Sequence, residues 1–319
     1  MRKICVYLSL IALIIIATPH GHAQSETGDS KAILVTGATS GIGRNITETL
    51  AGNGYFVYAG ARKQSDMDEL NKIENVQAVR LDVTVQGEID NAVETIRNGG
   101  HGLYGLVNNA GVAFGAPLIE ADEEDMQWLF DVNVFGVYRV TRAFAPLLIE
   151  SKGRIINIGS ISGILSGPLF GPYSMTKHAV EAYTDALAQE MTRFGVSVSV
   201  IEPGNYKSDI GLTAVSRMQD SNIASDDSLY AEELQQFLNR PADRSQYKEP
   251  DEVAAAAMHA LFDENPKPRY MVVPNRQEAA ITINRSIQKT IELNSQQQYE
   301  FSREELVEML DTALSPGTR

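Results

Sequence analysis

From Lys31 onward the chain alternates short apolar runs, each ending near Gly, Asn or Asp, with longer stretches that mix apolar and polar residues. The runs are AILVTG at 32–37, YFVYAGA at 55–61, VQAVRLD at 76–82, LYGLVNNAG at 103–111, RIINIGS at 154–160, VSVSVIEPG at 196–204 and RYMVV at 269–273. Each has strand length, and a nearly continuous apolar run predicts a strand buried on both faces. Between them, 42–52, 86–97, 122–149 and 173–194 are long enough for helices. Strands alternating with such helices predict right-handed crossovers and a parallel sheet covered on both sides. The expectation is a doubly wound α/β domain over residues 31–275.

One region breaks the rhythm. Residues 208–247 are mostly polar, with Met218, Ile223, Leu229, Leu234 and Phe237 scattered through them. A long insertion at the carboxyl edge of an open sheet is where substrates are usually gripped, so this stretch is expected to be a helical substrate lid. A surface excursion with no ligand role is the alternative. Residues 276–319 lie beyond the last strand and read as a C-terminal extension of two helices, the second opened by a capping box at Ser302-Arg303-Glu304-Glu305.

The first thirty residues differ from the rest. Arg2 and Lys3 precede an apolar run from Ile4 to Ala17, and a polar, turn-prone stretch leads to Ala23. Charged head, apolar run and small residue fit a secretory signal peptide over 1–23 followed by a linker at 24–30, and the run is short for a membrane span. The alternatives are a retained anchor and a misassigned start that leaves the chain in the cytoplasm. The expected location is outside the cytoplasm. The formal charge of −14 speaks against a nucleic-acid surface, which needs clustered Lys and Arg. Cys5 is the only cysteine, so an internal disulfide or a cysteine metal site is impossible, and no metal is expected.

Two motifs carry chemistry. The first strand runs into Thr36-Gly37-Ala38-Thr39-Ser40-Gly41-Ile42-Gly43 and then a helix. Glycines there let the turn be tight and the backbone approach a pyrophosphate, which free N–H groups at the helix start would hold. Tight strand-to-helix turns also need glycine for steric reasons alone. The second motif, GPYSMTKHAV at 171–180, sets Tyr173 four residues ahead of Lys177, on one helical face. His178 points away from that face and reads as a helix-surface residue.

Together, TGATSGIG at 36–43, NNAG at 108–111, Asn133 in DVNVFG, Ser160 in NIGSISG, Tyr173-x-x-x-Lys177 and EPG at 202–204 resemble the short-chain dehydrogenase/reductase family. Their order matches, with Ser160 placed 13 residues before Tyr173, and the resemblance spans 31–275. It implies a Rossmann fold and hydride transfer with a nicotinamide dinucleotide. It further implies that Tyr173 exchanges a proton with the substrate oxygen and that Ser160 holds that oxygen. Lys177 would charge-stabilise the phenol and bond the nicotinamide ribose, and Asn133 would bend its helix around a relay water. For the cofactor, the resemblance implies Gly37, Thr39, Ser40, Gly41, Ile42 and Gly43 around the pyrophosphate, Asp82 and Val83 at the adenine, and Asn109, Ala110 and Gly111 along the cleft. Asn108 steadies the sheet. Pro203, Gly204 and Ser208 are expected at the carboxamide, with Ser208 standing where the family usually has Thr.

The second strand ends at Ala61, where an NAD-preferring chain would carry an acid, and Arg62 and Lys63 follow, with Arg44 nearby on the first helix. A guanidinium suits a 2′-phosphate, so NADP(H) is the expected cofactor, with NAD possible if Asp66 or Asp68 swings in. The resemblance is nearest the hydroxysteroid and retinol dehydrogenase branch, which implies a secondary alcohol or ketone on an apolar substrate such as a steroid or retinoid. Family members commonly assemble through the helices at 122–149 and 173–194, so a homodimer or homotetramer is expected. A non-catalytic dinucleotide-binding sensor or scaffold is the competing class, although it would be better served by loss of Tyr173 or Lys177. A nucleotide-sugar epimerase would need a longer C-terminal domain.

Overall fold

The computed structural model describes residues 31–239, 242 and 244–315. The expected signal peptide, linker and Cys5 lie outside them. Among the described residues, seven strands form one parallel sheet in the order β3-β2-β1-β4-β5-β6-β7. They are β1 (Ala32–Val35), β2 (Phe56–Ala61), β3 (Val76–Arg80), β4 (Gly105–Asn108), β5 (Arg154–Ile158), β6 (Ser197–Pro203) and β7 (Arg269–Val272). All seven expected strands are present, each trimmed by a few residues at its ends where the chain turns.

Why the strands read as unbroken apolar runs is visible in β1. Ile33 and Val35 point into one core layer and Ala32 and Leu34 into the other, all fully buried. The first layer is closed by Ile46 and Leu50 of α1 (Gly41–Gly52), Leu70 of α2 (Gln64–Leu70) and Val253, Ala257 and Leu261 of α9 (Asp251–Phe262). The second is closed by Ile89 and Ile96 of α3 (Gln86–Asn98), Phe144 and Leu148 of α5 (Gly136–Glu150), and Met191 of α6 (Gly171–Thr192). The short α2 and the alanine-rich α9 have no counterpart in the sequence expectation.

The stretch at 122–149 proves to be interrupted. α4 (Glu123–Phe130) passes through a π-helical turn at Asp131–Phe135 before α5 begins, and Asn133 lies in that turn. The polar region after β6 contains α7 (Ile210–Asp220) and α8 (Ala231–Leu238). Met218, Ile223 and Leu234 from it form a third apolar cluster with Phe114, Ala116 and Leu129. The two C-terminal helices are α10 (Arg276–Asn294) and α11 (Arg303–Leu314). The capping box is formed: Glu305 N–H donates to Ser302 Oγ at 3.2 Å, and Ser302 N–H donates to Glu305 Oε2 at 2.7 Å.

The sheet order places a topological switch between β1 and β4, because the chain winds outward through β2 and β3 and returns to pair β4 with β1. A crevice opens at the carboxyl ends of strands at such a point. Both chemical motifs face it.

Candidate active site

The Gly-rich turn leaves β1 and is stitched to the end of β4. Thr36 Oγ1 accepts from the N–H groups of Asn109 and Ala110, each at 3.0 Å, and Asn109 Nδ2 donates to Thr36 O at 2.9 Å and Gly37 O at 3.0 Å. The close approach explains the glycines. Gly37 sits at φ +63° with Ala110 Cα 2.9 Å from where a Cβ would be, a conformation and a distance that only glycine accommodates. Gly41 is also left-handed, at φ +53°, and a Cβ on it would lie 3.0 Å from Ser208 Cβ. Ser208 therefore borders the turn. Ser40 is the N-cap residue of α1, yet its side chain caps no backbone N–H, so its hydroxyl and the first amides of α1 are available to an anion. Thr39 is partly exposed beside it, and Ile42 packs into the core.

At the neighbouring strand end, β2 stops at Ala61 and Arg62 follows, 68% exposed and 3.8 Å from Asp82 Oδ2. Such a surface pair holds its arginine weakly. Asp82 accepts from Thr84 N–H at 2.9 Å and its hydroxyl at 2.7 Å, and Val83 is buried against Gly136.

Deeper in, Asn133 is buried and makes three bonds: Val112 N–H to its Oδ1 at 2.8 Å, and its Nδ2 to Val112 O at 2.8 Å and Thr176 Oγ1 at 3.1 Å. It thus ties the end of the NNAG segment to α6, and the π-turn is the widened backbone that lets it reach both. Gly111 adjoins this knot, since a Cβ there would stand 3.4 Å from Asn133 Oδ1 and 3.9 Å from Lys177 Nζ. Asn108 spans the sheet instead, donating at 2.9 Å to Asn157 Oδ1 and to Thr141 Oγ1, as its structural reading expects.

Tyr173 lies in the first turn of α6, with Lys177 one turn on and its Nζ 5.6 Å from the phenol ring centre. Lys177 is only 6% exposed, and its ammonium donates to Ile158 O at 2.9 Å at the end of β5. Burial pulls Lys177 down to about 8, while Glu181, one further turn along, pulls it back up. Ser160, just past β5, accepts from Ser162 N–H at 3.1 Å. Burial pushes Tyr173 up to about 12, against the smaller downward pulls of the Ser160 hydroxyl and then the Arg244 guanidinium. This differs from the expectation that Lys177 would make the phenol more acidic. Desolvation outweighs the attraction, and the cation that acts on the phenol comes from the stretch after α8.

Pro203 ends β6, and Gly204 N–H donates to Val272 O at 2.8 Å. Gly204 is pressed against Glu278 of α10, whose Oε2 also accepts from Asn205 N–H at 2.9 Å. His178 is less of a surface residue than its spacing suggests, because α10 covers it: its Nε2 is 3.3 Å from Lys289 Nζ.

Sequence reasoning missed Arg244, and it missed a charged cluster behind Ser160. There Arg269 Nε donates to the fully buried Glu202 at 2.7 Å and its Nη2 donates to Glu181 at 2.9 Å. Burial, then the neighbouring Glu181, push Glu202 up to about 7. Glu202 was visible only as the first letter of EPG. No local pattern announces its partners.

The model of the family described as short chain dehydrogenase matches residues 31–219. The mitochondrial D-beta-hydroxybutyrate dehydrogenase of Mus musculus is 36% identical over 208 residues, covering 62% of this chain and 60% of that protein. This chain thus spans about three fifths of the length of the first curated relatives it matches. The NADPH-dependent 3-dehydrocapnine reductase of Ornithobacterium rhinotracheale is 36% identical over 253 residues, covering 76% of this chain and 88% of that protein. Among solved structures, a short chain dehydrogenase/reductase from Burkholderia phymatum in complex with NAD superposes with TM-score 0.70 at 26% identity, covering 86% of this chain and 98% of that one. The matched span contains the glycine turn, the NNAG segment and the Asn133, Ser160, Tyr173, Lys177 group, and on that ground the chain belongs to the short-chain dehydrogenase family.

Proposed function

We propose that this chain is an NADP(H)-dependent oxidoreductase interconverting a secondary alcohol and a ketone on a largely apolar substrate. The observation that carries the reading is the convergence of Tyr173, Lys177, Ser160 and Asn133 from α6, β5 and the π-turn onto the cleft beside the glycine turn. The fit to a dinucleotide is supported by the left-handed Gly37 and Gly41 and the uncapped Ser40, which leave backbone close to the cleft and N–H groups facing it.

Gly37, Thr39, Ser40, Gly41, Ile42 and Gly43 would hold the pyrophosphate, Asp82 and Val83 the adenine, and Asn109, Ala110, Gly111, Pro203, Gly204 and Ser208 the nicotinamide half. When bound, the dinucleotide supplies or accepts the hydride. A phenol at about 12 keeps its proton at neutral pH, so Tyr173 is set to act as the acid that protonates a ketone oxygen. Ser160 would hold that oxygen beside it. Lys177, about 8 and therefore mostly cationic at neutral pH, stabilises the phenolate left behind. Because Ile158 O takes one of its three N–H groups, the other two are free to serve the ribose. Asn133 positions Val112 and Thr176, and through Thr176 the first turns of α6.

NADP is favoured over NAD because no acid ends β2 and Arg62 stands exposed at that place. The name of the Ornithobacterium relative supports it. Titration with NADPH and NADH tests this: NADPH should bind more tightly, Arg62→Ala should remove most of the difference, and tighter NADH binding by the unmodified chain would refute it. Screening alcohols and ketones while following reduced-cofactor absorbance tests the reaction class. We further propose that α7 and α8 act as the lid, seated by the buried Met218 and Leu234 against Phe114, Ala116 and Leu129. Self-association through α4–α5 and α6 is supported by the exposure of Phe135 and Tyr138, and export by the sequence of the first 23 residues.

A further inference from the structure

One cation outside the family motifs is bonded to the loop that follows Pro203-Gly204. Arg244 lies in the segment between α8 and α9, and its Nε donates to Tyr206 O at 3.1 Å while its Nη2 donates to Asn205 Oδ1 at 2.8 Å. The guanidinium carbon stands 4.7 Å from the centre of the Tyr247 ring. Asn205 and Tyr206 directly follow Pro203-Gly204, and Lys207 N–H donates to Lys248 O at 2.9 Å, so residues 244–248 are laid along the loop at the carboxyl end of β6. The head group is thus fixed by two neutral acceptors and one aromatic face. Arg244 and Tyr173 act on each other's charge from this position.

Among the described residues, no carboxylate serves Arg244 as a counter-ion. Arg217 pairs with Asp125 at 2.5 Å, Arg139 with Asp131 at 2.5 Å and the more exposed Arg269 with Glu202 at 2.7 Å, whereas the partly buried Arg154 has only the neutral Ser197 hydroxyl and Asp263 carbonyl, at the opposite end of β5. No carboxylate among the described residues forms an ion pair with Arg244. The acid that influences it, Glu278, has its two oxygens engaged by Asn205 N–H and Asn275 Nδ2, each at 2.9 Å. A desolvated cation costs stability unless an anion joins it, and a planar guanidinium is built to take a carboxylate through paired bonds. Elsewhere in the insertion, Phe237 meets Phe170 edge to face at 5.3 Å and packs on the cluster of Phe114, Met218 and Leu234.

We propose that Arg244 binds an anionic group, such as a carboxylate, on the substrate, so that the carbonyl compound this site takes is an oxo acid with an apolar body and not a neutral ketone. The inference rests on the oxidoreductase reading. The anion takes no part in bond changes: hydride adds to the carbonyl carbon, Tyr173 gives its proton to the oxygen, and the product is the hydroxy acid.

The test compares levulinate with its methyl ester, and ketostearate with its methyl ester, as substrates of the unmodified chain, Arg244→Gln and Arg244→Lys with NADPH. The acid-to-ester ratio of kcat/KM should favour the acids in the unmodified chain. It should fall about 10- to 150-fold in Arg244→Gln, the range expected for losing a hydrogen-bonded charge partner, and recover in part in Arg244→Lys. An unchanged ratio overturns the proposal, and so does a loss of NADPH affinity in Arg244→Gln, which would assign the guanidinium to the dinucleotide. If NADPH binds but neither acids nor esters are turned over, the oxidoreductase reading fails. Calorimetric binding of levulinate to the NADPH complex then decides Arg244 separately: loss in Arg244→Gln supports it, and equal or absent binding in the two chains overturns it.

Discussion

Gly43→Ala adds one methyl where the first turn of α1 meets the NNAG segment. A Cβ at that position would lie 2.3 Å from both Asn109 Nδ2 and Gly37 O, inside the hydrogen bond those two atoms share at 3.0 Å. Neither can yield freely, since Asn109 Nδ2 is also bonded to Thr36 O and Gly37 O is backbone. Overpacking of this kind costs about 1–3 kcal/mol. Breaking the two Asn109 bonds adds about 2 kcal/mol, and the helix preference for Ala over Gly returns about 0.5–1 kcal/mol. The net expectation is a loss of about 2–4 kcal/mol. Gly52→Ala is the internal control, because it lies in the same helix and a Cβ there meets nothing within 4 Å. That variant should gain about 0.5–1 kcal/mol. Urea unfolding of both variants measures the difference, and NADPH titration should show weaker binding for Gly43→Ala alone. If Gly43→Ala is as stable as the unmodified chain, the close seating of α1 on the NNAG segment is wrong.

Two further outcomes follow from other parts of the chain. Glu202 is raised above its unfolded value of 4.5 to about 7, so the folded chain holds an extra proton in that window and loses stability as pH rises through it, by up to about 3 kcal/mol. Glu202→Gln stays neutral throughout, so its urea midpoint should fall less than that of the unmodified chain between about pH 5 and about pH 8, and parallel pH curves would contradict the raised value. For the N-terminus, intact-mass analysis of protein from its native source should show cleavage near Ala23, and a mass retaining residues 1–23 would favour the anchor.

The sheet and the motif positions were legible because they are encoded locally. A parallel strand buried on both faces must be apolar throughout, and Ile33 and Leu34, which serve opposite layers, are adjacent letters in one run. The motif residues carry the site's backbone geometry in their own identities, as Gly37 and Gly41 do through left-handed φ. Arg244 was hidden because it reaches the cleft through Asn205 and Tyr206, nearly forty positions earlier, and nothing in a polar stretch marks which arginine will do so. The acidity of Tyr173 was misread for a related reason. The spacing to Lys177 shows a nearby charge, whereas the desolvation that wins depends on how tightly distant segments close around the phenol. The length of 122–149 was readable, and the bend the resemblance implied at Asn133 is present as the π-turn, whose partners Val112 and Thr176 no local spacing marks.

The proposed reduction turns on proton transfer by Tyr173, and single-turnover reduction of a ketone by the NADPH complex of Tyr173→Phe measures it most directly. Removing one hydroxyl should slow the step about 100- to 10,000-fold while NADPH affinity stays close to that of the unmodified chain, whereas Lys177→Ala should damage both. Turnover by Tyr173→Phe at the unmodified rate, with the same substrate and cofactor, would contradict the assignment.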